Sequence, residues 1–390
     1  MITKTKNIFS KTSIYFLRLR VMTVKELLQL SRDFILIFFV LYAFTADIYH
    51  AGSGVSLQLK RASTVFQDSD RSFASRELMG RFQEPHFSLK GEISHPLEGL
   101  RLLDENRAMI VLDIPPRFQE SLLKGEPTSV QLQVDATNSV LGFLASSYAE
   151  QIVGEFGTEA GLKRLGLGAR TTETVPLIKD DHRVWFNPNQ NDAWFMSITE
   201  LLNIITVFAI LLPAAAMVRE KERGTVEQLL VSPLTPFQIM LPKMLAMSLV
   251  VLGGTALSLF AVMKPVFHVP IKGSPLLFFL VTVLYIFTTE GLGLFVATIA
   301  RNLAQAGMMT VLIVAPMIFL SGAWTPPEAM APWMRFIMYI SPLHYYIDSS
   351  LGILLKGAGP AILWDSILIM TLLGGVVFGL GIWRFRRQFE

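Results

Sequence analysis

The feature that most constrains this chain is a set of long apolar runs broken by one long polar stretch. Runs at 33–50, 196–218, 244–263, 276–300, 304–321 and 361–383 are nearly free of charge. Most approach the ~20 residues that a helix needs to cross a hydrocarbon core of about 30 Å. The chain is 52% apolar and only 17% charged, whereas a soluble domain carries about 25% charged residues. The expectation is a polytopic α-helical membrane protein with six transmembrane helices.

Between the first two runs the composition changes completely. From 51 to 195 the apolar runs shorten, and charges, glycines and prolines return. Leu57–Phe66 reads as a strand, Ser72–Phe82 as a helix, and Ala108–Ile114 as a strand stopped by Pro115-Pro116. Arg117–Lys124 reads as a helix and Ser129–Val134 as a strand of period two. A long helix follows from Asn138 to Lys163, with Leu144, Tyr148, Ile152 and Phe156 at four-residue spacing. Strands alternating with helices predict an inserted α/β domain with a parallel or mixed sheet. Asp68, Asp70, Asp104 and Asp135 fall at turns, where carboxylates serve local hydrogen bonding. A solvated recognition or assembly domain is expected there, with no catalytic constellation.

Residues 1–32 carry Lys4, Lys6, Lys11, Arg18, Arg20, Lys25 and Arg32 among apolar residues. They predict an amphipathic helix on the cytoplasmic leaflet, with lysines towards anionic headgroups. A cleaved signal peptide fits worse, because the basic stretch is long and no small-residue cleavage site follows promptly. Residues 322–360, with Trp324, Pro326, Pro327, Trp333 and Arg335, suit an extracytoplasmic re-entrant or interfacial hairpin better than a span. With the N-terminus inside, the short inside segments carry fifteen Lys and Arg and the short outside loops four. The positive-inside rule then puts both termini, including the 384–390 tail, in the cytoplasm and the α/β domain outside.

Several chemistries are excluded. There is no cysteine, so neither disulfides nor thiolate sites exist. The six histidines never fall at a helical ligand spacing, and neither HExxH nor GxxxxGK[ST] occurs. Two carboxylates sit in apolar runs: Glu200 near the outer end of the second, and Glu290 deep in the fourth, before Gly291-Leu292-Gly293. An intramembrane carboxylate marks either a pathway or a polar contact between helices. Glu200 lies near enough to the interface for hydration, and for Glu290 pathway and packing both stay open.

The densest charge cluster opens the 219–243 segment: Arg219-Glu220-Lys221-Glu222-Arg223-Gly224-Thr225-Val226-Glu227-Gln228-Leu229-Leu230-Val231-Ser232-Pro233-Leu234-Thr235-Pro236. Thr225 and Gln228 have capping-box spacing, and Val226, Leu229 and Leu230 share one side of the turn that follows. Pro233 and Pro236 stop it. The pattern describes a short capped knob directly after a span, or else an ordinary charged loop.

This run resembles the cytoplasmic loop of ABC-2 type transporter permeases, the membrane subunits of ATP-binding-cassette exporters. Trp185-Phe186-Asn187-Pro188-Asn189 and Val134-Asp135-Ala136-Thr137 resemble the subgroup with a large periplasmic domain. The resemblance covers nearly the whole chain, the first fifty residues least distinctively. It implies a coupling helix at which Arg219, Glu220, Glu222, Arg223, Gly224, Thr225, Glu227, Gln228, Leu229, Leu230 and Pro233 meet a separate ATPase. Leu229 and Leu230 would be buried in that contact, with the charges orienting the approach. ATP and Mg would be bound by the partner, leaving this chain without a cofactor. It further implies a second or homologous permease copy, a periplasmic adaptor, and a bacterial inner membrane. Cargo in the family includes drugs, lipids and polysaccharides. Membrane lipids complete the expected partners, and nucleic acid is not among them. The competing reading is a membrane-anchored receptor or assembly factor acting through its outer domain, but the short tails offer no output domain. An intramembrane enzyme lacks any paired acid, base or nucleophile across the spans.

Overall fold

The computed structural model describes residues 2–54, 59–137, 139–165, 186–189, 191–224, 236–325, 327 and 330–389. Among these, residues 59–165 form one compact unit, and residues 2–54 with 186–389 form another.

The helical unit opens with α1 (Ile2–Ser31) and α2 (Phe34–Gly54). Asp33 separates them and caps α2, accepting from the Leu36 N–H at 3.1 Å. The first apolar run looked short in sequence, yet α2 continues to Gly54 through a π-helical turn at Ala43–Asp47. Packing accounts for the extension: Phe44 and Ile48 are fully buried, and a Cβ at Gly52 would fall 2.5 Å from the Phe267 ring.

The other unit holds a four-stranded mixed sheet. Strands β1 (Ala62–Asp68), β2 (Phe87–Glu92), β3 (Ile110–Ile114) and β4 (Gln131–Val134) run in the order β2-β1-β3-β4. β1 is parallel to β2 and β3, and β4 is antiparallel to β3. Helices α3 (Phe73–Met79), α4 (Pro96–Asp104), α5 (Phe118–Lys124) and α6 (Ser139–Arg164) connect and cover it. Alternation along the strands sends Phe66, Ile110, Leu112 and Ile114 into one core with Leu78, Phe118 and Phe156. Val65 and Val111 point the other way, against Ile93 and α4. The sequence reading had missed β2 and α4. β2 is an edge strand whose Leu89, Lys90, Gly91 and Glu92 are exposed, so it lacks a buried face that a period could reveal. The turn aspartates do local work. Asp68 accepts from the Asp70 and Arg71 N–H groups and from Ser75 Oγ at 2.6 Å, and Asp135 accepts from the Thr137 N–H.

The helical unit resumes with α7 (Asp192–Glu222), α8 (Phe237–Phe267), α9 (Pro275–Ile299) and α10 (Leu303–Phe319). Asn191 caps α7, and Asn187, from the Trp-Phe-Asn-Pro-Asn run, braces that cap with two bonds to the Asn191 backbone. The expected 322–360 hairpin contains α11 (Pro332–Ile340) and α12 (Pro342–Leu351), broken at Ser341-Pro342, and the long α13 (Pro360–Phe389) follows. Among the described residues five helices are long and apolar enough to cross a membrane: α2, α7, α8, α9 and α13. α10, at 17 residues, is a shorter apolar helix.

Two boundaries move in a way that matters below. α7 does not end at 218 but runs through Glu222, because Arg, Glu and Lys are good helix formers and nothing breaks the helix before Gly224, at φ +67°. Lys243, expected in the 219–243 loop, lies inside a helix that begins at Pro236. α9 is the central element. A Cβ on Gly291 would fall 2.6 Å from the Phe378 Cα of α13, and one on Gly293 would fall 2.6 Å from the Ile210 carbonyl of α7. Small residues thus let three backbones approach closely, as helices packed in lipid require.

Candidate functional site

The last turn of α7 is the most densely tied point of the helical unit. Four consecutive charged side chains leave it, each towards a different element. Arg219 pairs with Asp33 at the α1–α2 junction, 3.0 Å away. Glu220 accepts from Lys243 of α8 at 2.6 Å. Lys221 donates to the Ala297 carbonyl near the end of α9. Glu222 accepts from the Leu303 N–H at the first residue of α10, at 3.0 Å. Lys243 in turn donates to Glu26 of α1 at 2.8 Å, so one buried ammonium holds two carboxylates. The Lys243 side chain is 3% exposed and that of Glu26 5%. Buried charges persist only when paired, and removing one partner strands the others.

Arg219, Glu220 and Glu222, expected to orient a partner's approach, each make the contact within the chain just described. Arg223 is exposed at the helix end, followed by Gly224. Thr225, Glu227, Gln228, Leu229, Leu230 and Pro233 lie outside the described residues. Sequence reasoning missed Glu26, Asp33 and Lys243. The available signal was a lone acid in a basic helix and a lone lysine bordering an apolar run.

Deeper in the bundle the polar groups form a seam. The Thr206 and Tyr285 hydroxyls lie 2.8 Å apart, the Tyr285 ring stacks on Tyr346 at 4.0 Å, and the Tyr346 and Thr282 hydroxyls lie 3.0 Å apart. These four are fully buried. Glu290, 1% exposed, accepts from Ser248 Oγ of α8 at 2.8 Å through Oε1, while Oε2 is buried with no hydrogen-bond partner among the described residues. Glu200 is half-buried and accepts from Asn203 at 3.3 Å. The two carboxylates are not brought together: Glu290 faces α8, and Glu200 bonds within its own helix. No group of His, Cys, Asp and Glu that could hold a metal occurs among the described residues.

Apolar helices with a polar seam inside and their charges gathered at one set of ends define a polytopic helical membrane protein whose interior, not its surface, is specialised. The chain belongs to the ABC-2 family of transporter proteins, whose family model matches residues 34–383. It is 36% identical to the inner membrane transport permease YhhJ of Escherichia coli (strain K12), over 93% of this chain and 96% of that protein. It is 28% identical to the probable multidrug ABC transporter permease YbhR of the same organism, over 85% and 88%. With YbhS, of the same description and organism, it shares 27% identity over 73% and 74%. The chain is therefore an ABC transporter permease, a membrane subunit and not a catalytic one.

Proposed function

We propose that this permease forms the transmembrane pathway of an ATP-driven exporter and takes its motion from a separate ABC ATPase, which binds ATP and Mg and docks on the segment after Arg223. The observation that carries this reading is the last turn of α7. A displacement that reaches the last turn of α7 passes to α1, α2, α8, α9 and α10 through Arg219, Glu220, Lys221, Glu222 and Lys243. In this reading α10 is the sixth span, both termini are cytoplasmic, the sheet domain is periplasmic, and a second permease copy or homologue completes the pathway. A periplasmic adaptor is a further proposed partner of the outer domain. Drug-like cargo is the class to test first, since two relatives are described as probable multidrug permeases. Glu290 is proposed to exchange partners as helices move, with Glu200 at the outer mouth. Glu290→Gln should then slow export without harming assembly, and export at the normal rate would return Glu290 to packing.

The deciding experiment uses the absence of cysteine. A single cysteine at Leu229 should cross-link to the ATPase, and Leu229→Ala with Leu230→Ala should abolish both ATPase co-purification and export while insertion persists. Truncating a buried interface leucine commonly costs upwards of about 1 kcal/mol. Undiminished binding and export by the double variant would sink the docking proposal.

A further inference from the structure

The cleft between the C-terminal end of α1, the start of α2 and the last turn of α7 shares the Arg219–Asp33 pair with the export reading but is lined by further cations that reading leaves unassigned. It is an open cleft of about 830 Å³ lined by Lys25, Arg32, Asp33, Arg219 and Arg223, with Leu28, Phe34 and Ile35 among its apolar walls. Four cations therefore face one carboxylate, and that carboxylate is already committed to Arg219 at 3.0 Å. The neighbouring acids do not cancel the excess: Glu26 and Glu220 are held by Lys243, and Glu222 is turned to the Leu303 N–H. Lys25 lies 3.2 Å from Glu26, and its side chain is 57% exposed. Arg32 and Arg223 are exposed and have no acidic partner among the described residues. Guanidinium groups present flat forks of donors that match phosphate oxygens, so Arg32 and Arg223 beside the Asp33-held Arg219 bring phosphate-type donors to one cleft.

A free anion would have no use for the remaining walls. Leu28, Phe34 and Ile35 are 54%, 79% and 76% exposed, and the apolar surface continues along α2 through Phe38 and Phe39. Cations at the mouth of a cleft whose floor runs into the flank of a membrane-spanning helix match an amphiphile, charged at one end and apolar at the other.

We propose that this cleft binds the headgroup of an anionic phospholipid, with Arg32 and Arg223 as its principal phosphate ligands and Leu28, Phe34 and Ile35 against the upper acyl chains. The proposal rests on these helices lying at a membrane surface, and not on export or on an ATPase partner.

The test is retention of labelled phosphatidylglycerol against phosphatidylcholine by the purified full chain in detergent, with binding as the readout. Wild type should prefer phosphatidylglycerol. Arg32→Ala with Arg223→Ala should weaken that lipid about five-fold per arginine removed. Arg32→Lys with Arg223→Lys should keep most of the preference. Arg18→Ala with Arg20→Ala, which removes as much charge from α1 outside the cleft, should keep nearly all of it. Thermal unfolding of wild type with each lipid gives a second readout that needs no variant, and phosphatidylglycerol should be the more stabilising. Equal retention of the two lipids, or equal losses in the Arg32/Arg223 and Arg18/Arg20 alanine variants, would overturn the site. So would displacement by soluble glycerol phosphate at matching concentration, which would mark a plain anion site. Loss of a bound ATPase with lipid retention unchanged would make the cleft a protein dock instead.

Discussion

The sheet unit and the helical unit both bury apolar side chains, but they differ in what they leave outside and in how much polarity they take inside. In the first, Phe66, Leu112 and Ile114 are fully buried, while the pairs Arg81–Glu159, Lys163–Glu77, Arg101–Glu105 and Lys124–Glu120 stand at its surface. In the second, Leu372, Val376, Leu380 and Trp383 of α13 are more than half exposed, while Thr206, Thr282, Ser248 and Glu290 are inside. Water drives apolar groups inward in the sheet unit. Lipid tails are as apolar as leucine, so helices in a membrane gain nothing from hiding one and associate through close packing and hydrogen bonds. An apolar residue therefore marks the core of the first unit, whereas in the second, where apolar residues lie both inside and out, a polar residue within an apolar helix is the better marker of the interior.

The strongest way to break this contrast is at the buried triad. Lys243→Met keeps much of the side chain's length but removes the buried ammonium that Glu26 and Glu220 share, leaving Glu26 only the exposed Lys25 at 3.2 Å. Breaking a buried charge pair costs about 3–5 kcal/mol, and that is the loss expected here. Adding Glu26→Gln and Glu220→Gln to Lys243→Met should recover most of it, because no unpaired charge remains. Equilibrium unfolding of the three proteins in mixed micelles gives the comparison. A loss below about 1 kcal/mol for Lys243→Met would mean that the triad behaves like a hydrated surface pair.

A matched pair of leucines sharpens the same point. Leu112, fully buried between strand and helices, should cost about 2–5 kcal/mol when cut to alanine. Leu372, 63% exposed on α13, should cost almost nothing by the same cut in the isolated chain. Thermal unfolding of the purified variants would check both. A large loss at Leu372 would mean that this face is covered by protein, not by lipid.

What the sequence disclosed follows the same division. The apolar runs disclosed the long helices, the short run stopped by Pro115-Pro116 disclosed β3, which is buried on both faces, and period two and four-residue spacing disclosed β4 and α6. β2 stayed hidden because its only buried residue is Phe87. The end of α7 stood out as a candidate stretch through its charges and its place after an apolar run. Its partners did not, because Asp33, Lys243, Ala297 and Leu303 are brought to it by helix packing that no local pattern encodes. Glu290 was legible as a buried carboxylate, but Ser248, one of many serines, gave no sign that it would be the donor.

The smallest expected effect lies on the surface of the sheet unit and is visible through pH. Arg81 bonds to Glu159 at 2.5 Å and 3.2 Å, and it also lies over the Phe156 ring. The hydrogen bond from Arg81 holds the Glu159 carboxyl below its ordinary value of 4.5. A carboxyl lowered on folding stabilises the protein above its unfolded value, and that contribution fades as pH falls through the folded value. The side chain of Glu159 is 51% exposed, so solvent screens the pair and the contribution should be about 0.2–1 kcal/mol. Glu159→Gln should thus unfold slightly below wild type at pH 7. The gap should start to close as pH falls below 4.5 and vanish once Glu159 is protonated in the folded protein. Salt should narrow it at pH 7, which it would do far less for the Lys243 triad. A gap that persists undiminished in acid would mean that Glu159 contributes by packing on Arg81 and not by charge. The surface of the sheet unit would then depend on its charged side chains in the way that the interior of the bundle does.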